Sequence, residues 1–376
     1  NRKGKVRKGF CVSPFRYAEI RDNGDVWQCC TSWIEKPAGN ILTDKWDDIW
    51  NSNYAKRLRR SMHKGDFSMC DENLCPYIQK WNKGEEDYSA YFPIYDESTF
   101  EKLWDAKEIN PNGKKKYQNI IENKTIDLPY GPESVTFAHD RSCNLACPSC
   151  RKDFFKTEGK DREQTYKIQE LIMGEPICDT HEVYITNSGD AFGADVFRDL
   201  LKMINTKDFP NLVNLHLHTN ANSWSRTHWN KLKNLHDIPR LTCHISIDAC
   251  TKETYEIVRK GGKWETLQKN LKFIFEDIPN LKFIRTSFVC QDLNYKEMSG
   301  FVKLIDDLSY GSDAIVEVEF GQFTDWGVSS KEIVEQRQIF KRTHPNYNLF
   351  LEEYKKMLKL DKNVLITDNL DIEELT

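Results

Sequence analysis

The sequence lacks a dominant charge: 54 basic residues stand against 58 acidic ones, for a net charge of −4. A balance this even supplies no global field for a polyanion, so no nucleic-acid partner is expected. No apolar run approaches the roughly 20 residues that a membrane helix needs, and no signal peptide precedes Cys11. Membrane partners are therefore not expected, and the expected location is the cytoplasm. Internal repeats and low-complexity segments are missing too, which argues against solenoid or tail-like architectures. The one biased stretch is basic (Arg2, Lys3, Lys5, Arg7, Lys8) and reads as a solvated end.

Cysteine is what the chain does have. Twelve of them without a secretion signal indicate a reducing compartment, where thiols serve metals or catalysis rather than disulfides. Five lie before residue 76 and three form the run Cys143-x3-Cys147-x2-Cys150, while Cys178, Cys243, Cys250 and Cys290 are scattered. The triplet follows the apolar stretch Ser134–His139 on a short loop and delivers three thiolates to one point. Thiolates are soft and select iron–sulfur clusters or zinc over calcium and magnesium. A cubane cluster has four irons, so three ligands leave one iron open, the arrangement of a chemical rather than a structural site. A zinc knot would need a fourth ligand at matching spacing, and only Cys178 follows within thirty residues, with His139 just upstream.

From residue 134 the chain alternates strand-like and helix-like segments. Strands are expected at 134–139, 182–186, 213–219, 241–247, 281–289 and 315–320, with helices at 165–173, 196–204, 224–235, 251–276 and 295–308. The Gly261-Gly262 pair interrupts the fourth of those helices. Such alternation predicts βαβ units and a parallel sheet, here an α/β fold with a partial (β/α)6 TIM barrel. Function in such a barrel lies where strand carboxyl ends release their loops, and the cysteine turn is at such an end. The expected organisation is a small cysteine-rich domain at 9–80, a linking segment at 81–131 with helical or irregular material at 96–126, the barrel at 132–328 and a helical extension at 329–376.

The triplet closely resembles the signature of the radical S-adenosylmethionine (SAM) enzymes, whose open iron chelates the amino and carboxylate groups of SAM. The strand-end loops carry the resemblance further. Asn187-Ser188-Gly189-Asp190 is similar to the family's glycine-glycine-glutamate element, with Ser188 and Asp190 as departures; its plain alternative is an ordinary βα turn. Ser246-Ile247-Asp248-Ala249 with Arg259-Lys260-Gly261-Gly262 resembles the elements by which Ser and Arg contact the SAM carboxylate. A guanidinium fork suits that task. Asp248 has the alternative reading of a helix cap. Thr219 and Asn220 close the third strand, and Val289 and its neighbours close the fifth; both positions fit cofactor or substrate contacts, with simple turn chemistry as the alternative. Ser149 departs from the family's aromatic residue beside adenine, so the adenine pocket is expected to be built differently, around Val289.

The amino-terminal pattern Cys11-x12-Gly24-x4-Cys29, with Gly39-Asn40, Trp50-Asn51-Ser52, Arg57 through Arg60 and Cys70-x4-Cys75-Pro76, resembles the auxiliary-cluster (SPASM) domain. The resemblance implies a second 4Fe-4S cluster on Cys11, Cys29, Cys70 and Cys75, with Cys30 an alternative to Cys29; a four-cysteine zinc fold is the rival. Together these resemblances imply reductive cleavage of SAM to methionine and a 5′-deoxyadenosyl radical, which abstracts hydrogen from a substrate carbon. They imply oxidation or epimerisation of a peptide, sugar or small metabolite, and an electron donor such as flavodoxin or ferredoxin. Cys290, at a strand's carboxyl end, is the candidate hydrogen donor of an epimerase, with a packed core cysteine as its alternative. The class that competes with an enzyme is a non-catalytic iron–sulfur or zinc scaffold or sensor.

Overall fold

The structure, a computed structural model, describes residues 8–84, 93–95, 113–370 and 372. The basic arm from Arg2 to Arg7 and most of the connecting segment expected at 96–126 lie outside the described residues, although a helix does cover Gly113–Glu122. The chain forms two compact units, Asn1–His139 with Glu163–Glu182, and Asp140–Arg162 with Val183–Thr376.

In the first unit the strands are β1 (Phe10–Cys11), β2 (Tyr17–Arg21), β3 (Asp25–Trp27), β4 (Gly39–Asn40), β5 (Ile94–Tyr95) and β6 (Ser134–Ala138). β2 pairs parallel with β6 and antiparallel with β3, which pairs antiparallel with β4; β1 pairs antiparallel with β5. The β2–β3 turn needs Gly24, whose φ is +85° and whose added Cβ would lie 2.8 Å from Asn40 Oδ1. Helix Asn53–Lys64 is capped by Ser52, which accepts from Ala55 N, and ends on left-handed Gly65. It buries Arg59 completely. The guanidinium donates to the carbonyls of Pro14, Ile126 and Trp50 and to Asn51 Oδ1 at 2.9–3.0 Å and lies over the Trp50 ring. A buried charge is tolerable only when its donors are satisfied in this way.

The second unit holds β7 (Glu182–Ile185), β8 (Asn214–Thr219), β9 (Arg240–Ser246), β10 (Leu281–Cys290), β11 (Ile315–Gln322) and β12 (Leu365–Asp368). Their sheet order follows the chain, β7 to β12, and the pairs from β8 through β12 are parallel. This is the βαβ sheet the alternation predicted. On β9, Leu241, Thr242, Cys243 and Ile245 are buried while His244 and Ser246 are half-buried, so the alternation of a strand's faces shows toward its carboxyl end. Side chains such as Leu217, Ile245 and Phe288 are wholly enclosed, each stabilising by roughly 1.5–3 kcal/mol.

Two elements differ from expectation. The helix expected at 224–235 is a single turn at Arg226–Trp229 followed by a 3-10 turn at Lys233–Leu235, because Trp224, Trp229 and Leu235 all bury on a path too irregular for one helix. The extension after 328, expected to be helical, contains helices Lys331–Arg337 and Tyr347–Leu358 but ends as strand β12 on the β11 edge. That edge offers unpaired N–H and C=O groups, which Leu365-Ile366-Thr367 satisfies as a short β-branched segment.

Candidate functional site

In the second unit the cysteine turn is held by Ser142 and Asp140. Asp140 Oδ1 accepts from Ser142 N, Ser142 Oγ and Thr157 Oγ1 at 2.7–2.9 Å, and Cys143 N donates to Phe155 O. The three sulfurs face a cavity of about 290 Å³. Each is approached by nitrogen donors. Cys143 Sγ receives Leu145 N at 3.5 Å and Asn220 Nδ2 at 3.8 Å, Cys147 Sγ receives Arg259 Nη1 at 3.6 Å, and Cys150 Sγ receives Arg151 Nη2 at 3.7 Å. Burial pushes the Cys143 thiol up to about 12, and Asp190 pushes in the same direction. Such a thiol ionises by gaining a cationic partner, and N–H groups aimed at sulfur are the outer contacts that a thiolate-bound cluster uses. Among the described residues no three His, Cys, Asp or Glu side chains converge as a single bound ion requires. Three soft sulfurs with N–H donors aimed at them are a donor set suited to a thiolate-bound cluster.

The same cavity is lined by Ser188, Gly189, Asp190, Thr219, Asn220, Ser246, Arg259 and Val289, and by Ser149. Gly189 is obligatory: its φ is +73°, and an added Cβ would sit 2.6 Å from Ser142 O and 2.7 Å from Asp140 O. Asp190 lines the cavity, but its carboxylate is committed to the protein. It accepts from Phe192 N, Gly193 N, Asn220 N and Thr219 Oγ1 at 2.7–3.2 Å. Its role is to clamp the loops after β7 and β8, while Ser188 and Gly189 line the cavity and the Ser188 backbone pairs with Thr186 Oγ1.

Asp248 stands behind the cavity rather than on it. It is fully buried with φ +64°, its Oδ2 lies 2.7 Å from Arg259 Nη2, and its Oδ1 accepts from Val289 N at 2.8 Å. It is not the helix cap, since Thr251 Oγ1 takes that part by accepting from Thr254 N. Burial works against the Arg259 charge, but Asp248 and Cys147 outweigh it and hold the guanidinium protonated. Cys290 is fully buried and absent from the cavity, whereas Val289 lines it, as alternation along a strand requires.

Sequence reasoning missed Thr186, His218, Gln322, Thr324 and Trp326, which also line the cavity. The signal for His218 was present. His216-x-His218, His244-x-Ser246, Arg285-x-Ser287 and Glu317-x-Glu319 place polar groups at alternate strand positions, on one face of the sheet. The His218 and His244 rings stack at 4.4 Å, and His218 Nε2 lies 3.2 Å from Ser246 Oγ. Burial, with Arg259 adding, lowers His218 to about 4, so the ring is neutral near pH 7.

In the first unit Cys11, Cys29, Cys70 and Cys75 gather. Cys29 is raised well above the ordinary thiol range by burial and by the nearby Cys11, Cys70 and Cys75. Cys30 is raised by burial and opposed by the Ser32 amide, with Glu19 and Arg21 its charged neighbours. Cys75 in turn has Cys30 among its charge neighbours, so both adjacent cysteines stay beside the group. Cys75 precedes helix Pro76–Lys83, and the Tyr77 and Ile78 amides bond to its sulfur.

Residues 11–76 match the SPASM family, an iron–sulfur cluster-binding domain. The chain carries that domain, so the resemblance of its amino-terminal pattern to SPASM is borne out, and the four-cysteine zinc fold loses ground. No curated protein matches the chain. Among solved structures, it is similar to Streptococcus suis SuiB, with TM-score 0.41 and 13% identity over 85% of this chain and 67% of that one. It is also similar to SuiB bound to the precursor peptide SuiA, with TM-score 0.43 and 10% identity over 96% and 72%. Similarity extends to TYW1 with a lysine–pyruvate adduct, with TM-score 0.37 and 18% identity over 65% and 76%. No described helix is long and apolar enough to cross a membrane.

Proposed function

We propose that the chain is a radical SAM enzyme, with a site cluster on Cys143, Cys147 and Cys150, an auxiliary cluster on Cys11, Cys29, Cys70 and Cys75, and a partial barrel around the cavity. The observation that carries this reading is the three-thiol turn, with a nitrogen donor on every sulfur, opening into a cavity that also presents Ser188–Gly189 backbone, Ser246 and Arg259. When bound, cluster and SAM would supply one-electron chemistry that removes a hydrogen atom from a substrate carbon. The protein's own work is binding and orientation. Arg259, held charged by Asp248 through Nη2 and reaching Cys147 through Nη1, sets a fixed positive charge beside the cysteine turn where a carboxylate would bind. Ser188–Gly189 offers backbone to an ammonium group. His218, neutral and bonded to Ser246, can accept or donate a proton at Nε2.

The substrate class is a peptide or a sugar-sized metabolite, the net reaction oxidation or epimerisation, and the electron donor a flavodoxin or ferredoxin. Cys290 is packed away from the cavity, so the oxidative outcome is the better supported of the two. The test is anaerobic reconstitution. The protein should take up about eight irons, four per cluster, and Cys143, Cys147 and Cys150 changed together to Ala should lose half the iron and all SAM cleavage. Stoichiometric zinc with no iron uptake would overturn the proposal.

A further inference from the structure

We infer that the first unit carries a binding site for a basic peptide segment, built from residues other than those of the cysteine turn and independent of the SAM reading. A cavity of about 790 Å³ opens among the segments 46–51, 127–131 and 175–179, all within that unit. Its walls are fastened to one another. Trp50 Nε1 donates to Tyr130 O at 2.7 Å, and Gly131 N donates to Asp179 Oδ2 at 2.7 Å. Asn51 Nδ2 donates to Leu128 O at 2.8 Å while Leu128 N donates back to Asn51 Oδ1 at 2.9 Å. A cavity tied together in this way is preformed, so filling it costs little ordering of the protein.

The lining is acidic and aromatic. Asp47, Asp127, Glu175 and Asp179 line the cavity and are exposed, and among the described residues no Lys or Arg lines it. Asp127 takes Lys56 Nζ at 2.7 Å, whereas Asp47 and Glu175 have no side-chain partner among the described residues. The cations that touch these walls are engaged: Lys116, over the Tyr130 ring, pairs with Glu133 at 2.8 Å, and Arg59, over Trp50, donates to carbonyls. The Tyr130 hydroxyl is shut from water without a hydrogen-bond partner among the described residues, a cost that a ligand N–H relieves. Trp46 and Trp50, stacked at 5.9 Å, add apolar surface with Leu128 and Pro129. Lysine and arginine suit such a lining, since their stems lie along apolar surface and carry the charge to a carboxylate. Two uncommitted carboxylates ask for two cations. A volume in the upper part of the roughly 300–1,000 Å³ range of ligand sites admits more than one side chain, and a peptide with two basic residues meets both demands.

The experiment is fluorescence anisotropy of the anaerobically cluster-loaded protein with a fluorescein-labelled octapeptide of glycine, leucine and two arginines. The same peptide with neutral citrulline in place of arginine is the control. The arginine peptide should bind about two- to thirtyfold more tightly than the citrulline peptide, the span that two exposed ion pairs command, and the difference should shrink as salt is raised. Asp47→Asn/Glu175→Gln should weaken the arginine peptide by a similar factor, and Glu175→Lys should weaken it too. Both positions are exposed, so iron content and melting midpoint should match wild type in each variant. Equal binding of the two peptides, or an arginine-peptide affinity unchanged in both variants, would overturn the assignment. Spermidine bound as tightly as the arginine peptide would make this a small-amine site and overturn the peptide assignment as well.

Discussion

Replacing Asp248 by Asn isolates one charge in the buried frame of the site. The Asp248 and Arg259 side chains are 0% and 11% exposed and lie 2.7 Å apart. An Asn can still accept from Val289 N, as Asp248 Oδ1 does at 2.8 Å, so the shape and one hydrogen bond survive while the counter-charge vanishes. Stranding a buried guanidinium in this way costs about 3–5 kcal/mol. For a body of 150–250 residues that corresponds to a fall in melting midpoint of roughly 6–20 °C. Because the pair is shielded from solvent, the loss should be alike at low and high salt, unlike that of a surface pair. The double variant Asp248→Asn/Arg259→Met, which buries no charge, should regain much of the loss. The assay is thermal unfolding of the metal-free protein under reductant, followed by circular dichroism. A single variant melting within ~2 °C of wild type, or a double variant less stable than the single, would refute the claim that the pair is electrostatically essential.

Cys29→Ser should remove about half the iron, since Cys29 has Cys11, Cys70 and Cys75 all beside it, whereas Cys30→Ser, whose sulfur neighbours Cys75 alone among them, should leave the full complement; equal losses from the two would break the ligand assignment. Acid sensitivity should come in part from the buried imidazoles, because burial lowers His216 to about 3 and His218 to about 4. The unfolded chain binds these protons below about pH 6.5 while the folded one does not. Stability is therefore fully present above that pH and falls by about 1.4 kcal/mol per pH unit per ring as the pH drops toward the folded values. Denaturant midpoints measured from pH 7 to 4.5 should show this slope flattened in His218→Gln, and an identical slope in wild type and variant would count against it.

The parallel sheet was legible because buried strands write themselves as β-branched and aromatic runs, and the units around 213–219, 241–247 and 281–289 reappear as β8, β9 and β10. The cysteine turn was legible because chelation by three sulfurs fixes a local spacing. Other features depend on contacts that spacing does not encode. Asp190 looked like a ligand-facing acid, yet four protein groups consume its carboxylate. Cys29 and Cys30 both neighbour Cys75, and adjacent identical residues conceal which of them would serve as ligand. Trp326 lies beyond the last βα unit in an exposed loop, where no periodicity marks a residue. β12 escaped because a four-residue edge strand is shorter than the window that periodicity needs.

The discontinuity of the first unit bears on how the protein is born. All four of its gathered cysteines precede residue 76, but β2 pairs with β6 at Ser134–Ala138, and the compact unit includes Glu163–Glu182. At ~5–20 residues per second, a ribosome takes roughly 5–20 s to travel from Cys75 to Glu182. Cys143, Cys147 and Cys150 are made within that interval, so the eight thiols of the two ligand regions, Cys30 included, precede the completion of the first unit. Iron delivered during synthesis would meet thiols with no fixed partners, and ligands could exchange between the two sets. On the proposed cluster assignment, maturation of the two centres belongs after release, and expression conditions that slow iron supply relative to translation should protect correct assembly.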